Sequence, residues 1–391
     1  MKIAVAVLFG GKSVEHEVSV ISGVQAMAAL DREKYDVIPV YITKANEFYT
    51  GERLTDIAAF RDIPGLLRTA SKVSFEVDGG RTYLVGGEAG LLKKRTRRLV
   101  DVALPVVHGT NVEDGALQGF LETLNLPYAG PDVLSSAVCM DKYVTKAMLE
   151  RGGFPVLPGL RFSSADSDFV AATEAAFGYP VIVKPVNLGS SVGIGKADDA
   201  AGLRAAAEVA FSFARQILVE PAVVDLREIN CSVLGDASSA RASECEEPVA
   251  RDAILSYQDK YGSGGKSGSK SAGKGMASAG RQIPAPITPE QRERIRALAV
   301  DAFRYLGCAG VARIDFLLDA GTGELWINEF NTIPGSLSFY LWAPVGLPYD
   351  QLLDELISLA LKRTREAEDI TYAFDTNILA GVSFGAKGAK S

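Results

Sequence analysis

Four polar residues in the last third of the 391-residue sequence have types and spacing suited to chemistry: Arg313 and Asp315 in VARIDFLLD, and Glu329 and Asn331 in ELWINEFN. The two segments flank Ala320-Gly321-Thr322-Gly323, a turn composition that predicts a β-hairpin. Side chains two apart on a strand share a face, so Arg313 joins Asp315 and Glu329 joins Asn331, and pairing about the turn brings Asp315 close to Glu329. Two carboxylates and an amide oxygen, without His or Cys, are hard ligands that suit Mg²⁺ held with water and phosphate rather than zinc. A solvated polar face on an edge hairpin is the bland alternative. Ile314, Phe316 and Leu318 weigh against it by marking the other face as buried.

A second constellation centres on Lys184, which interrupts the apolar run VIVKP just before Asn187-Leu188-Gly189-Ser190-Ser191-Val192-Gly193. A buried ammonium needs an anion. Backbone N–H groups and hydroxyls of a Gly/Ser loop suit phosphate oxygens, so Lys184 with this loop reads as a triphosphate cradle; snorkelling at a strand end is the alternative. Lys142 in CMDKY makes a weaker case and reads more readily as a solvated helix face. Glu220 ends the apolar run ILVE and Glu228 follows eight residues later, a spacing that could place two acceptors around an adenosine. Glu15 and His108 could hold the ammonium and carboxylate of a small zwitterion, although a lone His is as often structural. Tyr257-Gln258-Asp259-Lys260-Tyr261 opens a stretch in which 15 of the 19 residues from 262 to 280 are Gly, Ser or Lys, a composition that packs poorly and predicts a mobile lid.

The elements that must position these groups alternate between strand and helix. Ile3 to Phe9 reads as a strand buried on both faces, followed by Gly10-Gly11 and a helix with Ser13 as N-cap and Val14, Val18, Ile21, Val24 and Ala28 as its apolar stripe. Val37 to Ile42 and Val102 to Val107 are further strands of an open α/β unit, whose ligands gather at the strands' carboxyl ends, beside Gly11 and His108. A second α/β unit has helices over 135–151 and 168–177 and strands over VIVKP, 192–196 and 217–220. Beyond it come an extended INCSVLG segment, a helix from Pro289 to Leu306 and the hairpin. Familiar motifs fail on inspection. Gly11-Lys12-Ser13 lacks a Walker A glycine because position 6 is Ala6, and the second GGKS has Lys260 at that offset. Gly189 to Gly193 fits GxSxG, yet both His residues precede Ser191, against the order of a hydrolase triad.

Composition narrows the class further. At one domain per roughly 150 residues the length implies two to three domains. Lys plus Arg number 41 and Asp plus Glu 48, a net charge of −7 that argues against nucleic-acid or anionic-membrane binding. His16 and His108 are the only histidines, which excludes a three-His metal site, and the four cysteines (Cys139, Cys231, Cys245, Cys308) form no CxxC pair. No apolar run approaches a membrane span or a signal peptide, so the expected location is the cytoplasm.

The segments GGKSVEHEVS from Gly10, HGTNVEDGALQG from His108, MDKYVTK from Met140, VKPVNLGSSVG from Val183, ARIDF from Ala312 and NEFNTIPG from Asn328 resemble, in order and spacing, the D-alanine:D-alanine ligases of the ATP-grasp superfamily. The resemblance spans nearly the whole chain. It implies an α/β, ATP-grasp fold of three domains: an N-terminal open parallel-sheet domain over 1–130, a central domain over 131–222, and a C-terminal domain over 223–391 carrying a lid over 257–282. It implies ATP and two Mg²⁺, with Mn²⁺ able to substitute, a homodimer, and formation of D-alanyl-D-alanine through an acylphosphate for peptidoglycan precursor synthesis. By similarity Lys142, Lys184 and Lys260 meet the ATP phosphates under a loop containing Ser190 and Ser191, Glu220 the adenine side and Glu228 the ribose. Asp315, Glu329 and Asn331 ligate the metals, and Arg313 and the Gly335 N–H stabilise the oxyanion. Glu15 binds the first D-alanine's ammonium and His108 its carboxylate region, with Tyr261 linking Glu15 and Ser190. No His lies in 109–391, which argues against a D-lactate-using enzyme. Many members place a Ser about five residues after the glycine of the last motif; here that position is Tyr340, leaving Ser338, or Ser336, for the second substrate's carboxylate. A ligase using D-serine, and a nucleotide-binding protein without ligase activity, are the alternatives.

Overall fold

The computed structural model describes residues 2–86, 96–164, 166–248, 280–371 and 377. Strands β1 (Ile3–Gly10), β2 (Tyr35–Ile42), β3 (Phe48–Thr50), β4 (Ser71–Asp78), β5 (Arg81–Gly86), β6 (Thr96–Val100) and β7 (Val102–Pro105) form a seven-stranded sheet in the order β6-β5-β4-β3-β2-β1-β7. Only β2, β1 and β7 run parallel, while β3 to β6 extend the sheet as an antiparallel meander. Val5 to Phe9 are wholly buried, as a strand covered on both faces must be.

The helix His16–Ala29 packs on β1 by a face rotated from the one its apolar spacing predicts, sharing with it only the fully buried Val18. Val14 and Ile21 are 45% and 38% exposed, whereas Val18, Ser19, Ser22, Gly23 and Met27 are buried. The small residues permit a closer approach than a Val/Ile stripe would: a Cβ on Gly23 would lie 2.6 Å from the Cβ of Phe9. Ser19 also satisfies two backbone groups, accepting from Gly10 N–H (2.7 Å) and donating to the Val106 carbonyl (2.6 Å). Ser13 is not the N-cap; Glu15 holds that position, and the Ser13 hydroxyl accepts from the Glu15 N–H at 3.1 Å.

Strands β8 (Leu160–Ser163), β9 (Val181–Pro185), β10 (Gly195–Ala197) and β11 (Gln216–Pro221) form an antiparallel sheet in the order β10-β9-β11-β8. β10 starts later than the sequence suggests, because Ser190, Ser191 and Gly193 all have positive φ and keep the preceding loop out of the extended region. The helical span over 135–151 is broken in two, Val133–Met140 and Lys142–Arg151, with the Asp141 carboxylate capping the second by accepting from the N–H groups of Tyr143 and Val144.

The third sheet contains β12 (Leu226–Gly235), β13 (Ala240–Pro248), β14 (Arg281–Gln282), β15 (Gly310–Asp319) and β16 (Leu325–Asn331), ordered β14-β13-β12-β15-β16. The helix Pro289–Tyr305, opened by a Thr288/Gln291 capping box, covers it through Ile295, Ala299, Ala302 and Phe303. The final helix, Tyr349–Glu368, returns to the first sheet, burying Leu352, Leu353, Leu356 and Ile357 in the core built on β1, β2 and β7. Among the described residues no helix is long and apolar enough to cross a membrane.

Candidate active site

A cleft opens where the three sheets meet. Its lining includes Glu15, His108, Lys142, Ser190, Glu228, Arg313, Asp315, Glu329, Asn331 and Gly335, residues that lie more than 300 positions apart at the extremes. Lys184, Ser191, Glu220, Ser336, Ser338 and Tyr340 are not among the lining residues, and all of them but Ser191 are buried. Lys260 and Tyr261, the expected lid residues, lie outside the described residues.

The hairpin registers Arg313 opposite Asn331 and Asp315 opposite Glu329. Counting out from the turn, where Phe316 pairs with Ile327, would set Asp315 opposite Asn328; a bulge between Asp315 and Phe316 shifts the register by one and brings up Glu329. Arg313 grips Asp315 through two parallel bonds of 2.7 Å, and the Asn331 amide donates to the same carboxylate at 3.1 Å. Burial works against the Arg313 charge, but Asp315 outweighs it and holds the guanidinium firmly protonated. Asp315, Glu329 and the Asn331 amide oxygen are a hard-oxygen set that fits Mg²⁺; among the described residues no cluster of three or more His, Cys, Asp or Glu could hold a metal without help from other oxygens.

Lys142 bridges the hairpin and the Gly/Ser loop, pairing with Glu329 at 3.0 Å and donating to the Leu188 carbonyl at 2.6 Å. Behind it Lys146, which sequence reasoning missed, and Lys184 both pair with Glu220; Lys184 lies 2.5 Å from that carboxylate and 3.0 Å from the Asn328 amide oxygen. All three ionic side chains are 6% exposed or less, so each charge depends on the others. Burial raises the Glu220 pKa on its own, yet the two ammonium groups outweigh it and the carboxyl titrates below its ordinary value. Burial lowers the Lys146 ammonium to about 8.

At the other end of the cleft the Ser190 hydroxyl donates to the Glu15 carboxylate, joining the phosphate-type loop to the first helix. His108 is fully committed: its ring nitrogens meet the Ile333 carbonyl at 2.7 Å and the Ser22 hydroxyl at 3.0 Å. Burial drives its pKa down to about 4, so the ring is neutral, Nδ1–H donating to Ile333 and Nε2 accepting from Ser22. It therefore positions its neighbours rather than supplying a positive charge. Glu113, also missed from sequence, accepts from Gly109 N–H (2.9 Å), Ile333 N–H (2.9 Å) and the Thr332 hydroxyl (3.2 Å). Burial dominates those donors and, with repulsion from Glu15, raises its carboxyl to about 7.

After Gly335 the chain takes an unusual course, with Ser336, Leu337 and Ser338 all in the left-handed region (φ 51°, 53° and 50°). Each such non-glycine residue costs about 1–2 kcal/mol, so the surroundings must hold the turn. Ser22 and Gln25 do so: Ser336 N–H donates to Ser22 Oγ at 2.9 Å and Ser336 Oγ to Gln25 Oε1 at 2.6 Å. Ser338 is completely buried. Beside this turn the Tyr340 hydroxyl donates to Glu246 at 3.3 Å, and Arg281 lies 4.1 Å above the Tyr340 ring. Arg281 and Glu246 were not legible from sequence because each comes from a strand of the third sheet, near the ends of a long intervening segment; nothing in their neighbours signals the meeting.

Two antiparallel sheets facing across a cleft lined with lysines, acidic hairpin residues and a Gly/Ser loop define an ATP-grasp protein. Models of the D-Ala-D-Ala ligase N-terminus and C-terminus match residues 4–131 and 145–358. The sequence is 38% identical to the D-alanine–D-alanine ligase of Thermosipho melanesiensis, covering 96% of this chain and 98% of that protein. It is 40% identical to that of Thermoanaerobacter sp. strain X514, over 93% and 98% respectively. Among solved structures, the D-alanine-D-alanine ligase from Coxiella burnetii superimposes with a TM-score of 0.78 at 31% identity, covering 94% of this chain and 96% of that one. The VanG D-Ala:D-Ser ligase from Enterococcus faecalis does so with 0.74 at 31%, covering 92% and 100%. The chain belongs to the D-alanine–D-alanine ligase family, and membership implies use of ATP.

Proposed function

We propose that the protein joins two D-alanines to D-alanyl-D-alanine at the expense of ATP, supplying peptidoglycan precursor synthesis. In this reading residues 1–130 form the amino-acid end of the enzyme, and 131–222 and 223–391 the two halves that hold ATP. The convergence of Glu15, Ser190, Arg313, Asp315, Glu329 and Asn331 on one cleft carries the reading. A carboxylate oxygen of the first D-alanine takes the γ-phosphoryl group, ADP leaves, and the amine of the second D-alanine attacks the acylphosphate carbonyl to release phosphate. Such a reaction needs positioned charge more than a protein nucleophile.

Glu15, aligned by Ser190, takes the ammonium of the first D-alanine, and His108 shapes the pocket around its carboxylate. Lys142, Lys184 and Lys260 supply positive charge to the phosphates under Ser190 and Ser191. Glu220 and Glu228 serve the adenine and ribose side, Glu220 through its grip on Lys146 and Lys184. Arg313 and the Gly335 N–H face the oxyanion of the tetrahedral intermediate. Asp315, Glu329 and Asn331 would hold Mg²⁺, which neutralises phosphate charge when bound. Tyr261 completes the amino-acid pocket as the lid closes, in a cytoplasmic homodimer.

The test is phosphate release from ATP and Mg²⁺ with D-alanine alone, then with D-serine or D-lactate added, the products being weighed by mass spectrometry. A D-Ala-D-Ala mass from D-alanine alone supports the reading. A product only from the mixed pair with D-serine favours the second reading, which the residue Tyr340 and the likeness to a D-Ala:D-Ser ligase support. Nucleotide binding without any product would leave a binding protein.

A further inference from the structure

The turn after Gly335 leaves the second substrate's carboxylate without the hydroxyl that a serine there would offer. Ser336 spends its Oγ on Gln25 and its N–H on Ser22, and Ser338 is buried outside the cleft wall. Tyr340 fills the fifth position after Gly335, and its hydroxyl turns to Glu246. A different cation stands at this spot. Arg281, the first residue of β14, lines the cleft together with Gly335 and Arg313.

Arg281 is held as a binding group is held. Its side chain is 11% exposed, its guanidinium stacks 4.1 Å over the Tyr340 ring, and Nη1 pairs with Glu246 at 2.9 Å. Glu246 is itself fixed from two further sides, accepting from the Asn230 amide at 3.1 Å and from Tyr340. The ion pair uses one donor of a planar fork that carries five, a geometry matched to a carboxylate. Arg313, by contrast, has both arms on Asp315.

We infer that Arg281, propped by Glu246 and Tyr340, binds the α-carboxylate of the second amino acid and so sets which nucleophile the enzyme accepts. The inference rests on the ligase reading given above. It makes Tyr340 and Glu246 positioning residues: Tyr340 supplies the shelf for the guanidinium, and Glu246 fixes its rotation. It also predicts that the second site recognises a negative charge at the substrate's carboxyl end and tolerates variation in the side chain more readily than loss of that charge.

The experiment compares D-alanine with D-alaninamide as the second substrate, in the wild type and in Arg281→Lys and Arg281→Ala. First, hydroxylamine is supplied to the wild type with ATP and D-alanine, trapping the acylphosphate as a hydroxamate whatever occupies the second site. With that in hand, the KM for the second D-alanine is expected to rise roughly 10- to 100-fold in Arg281→Ala, the range for a hydrogen bond to a charged group. Arg281→Lys, which keeps a cation beside Glu246, should rise less, and D-alaninamide should be used with nearly the same efficiency by all three proteins. An equal loss for D-alanine and D-alaninamide, or no change in the second KM, overturns the assignment and leaves Arg281 a scaffold for Glu246. A wild type that makes neither dipeptide nor hydroxamate overturns the ligase reading, and this inference with it.

Discussion

Replacing Glu113 by Gln isolates a contest between two opposing effects inside the site. Burial and the nearby Glu15 charge favour the neutral carboxyl, while Gly109, Ile333 and Thr332 donate to it and favour the carboxylate; burial prevails and the pKa sits near 7 rather than 4.5. Below pH 4.5 the group is protonated in both folded and unfolded chains. As pH rises toward 7 the unfolded chain gives up its proton and the folded chain keeps it, so stability falls with rising pH across that window. Each pH unit there is worth about 1.4 kcal/mol, which makes the wild type lose about 3 kcal/mol in total that Glu113→Gln, having no proton to lose, does not. The variant carries a constant penalty of about 1–3 kcal/mol, because its amide N–H₂ faces the Gly109 N–H where an oxygen stood. The measurement is urea unfolding of both proteins from pH 4 to pH 8, plotted as the difference between them. A difference that stays flat, or that moves in the wild type's favour with rising pH, would refute the reasoning and show that the three donors outweigh burial.

Arg313→Ala should lower kcat about 10²- to 10³-fold, the usual loss for one oxyanion donor, and leave the KM for ATP within about threefold; unchanged turnover removes Arg313 from the mechanism. Gly23→Ala gains up to about 1 kcal/mol of helix propensity but drives a methyl to 2.6 Å from Phe9 Cβ, so a net destabilisation of about 1–3 kcal/mol is expected in thermal unfolding. A more stable Gly23→Ala protein would mean that the helix rides further from β1 than described.

The hairpin was the most legible part of the site, since its turn and a period of two bring Asp315 near Glu329, although the one-residue bulge that sets them directly opposite has no local signal. Lys184 was legible as a buried cation, but its partners were not: Glu220 clasps Lys146 and Lys184 together, a meeting of three distant segments that no local pattern encodes. The first helix shows the limit of apolar spacing. Ser19, Ser22 and Gly23 face the core because close approach and hydrogen bonds to strand-end backbone outweigh the burial of Val14 and Ile21. The meander β3 to β6 carries too little period-two contrast to announce itself, with Ser71 to Asp78 mostly exposed or half-buried. Glu113, Glu246 and Arg281 acquire their roles only from partners far along the chain, which no local pattern encodes.

The bonds that hold the strained turn after Gly335 also tie together three stretches of chain far apart in sequence. Ser22 serves His108 and Ser336 at once, Gln25 serves Ser336, and Glu113 reaches Thr332 and Ile333. Residues 10–25, 108–115 and 332–338 therefore behave as one heritable block. Transplanting the last segment alone from a relative of different substrate preference keeps the backbone donors to Ser22 and Glu113 but puts at risk the side-chain bonds of Ser336 to Gln25 and of Thr332 to Glu113, so a graft that carries all three segments is the one expected to hold the turn.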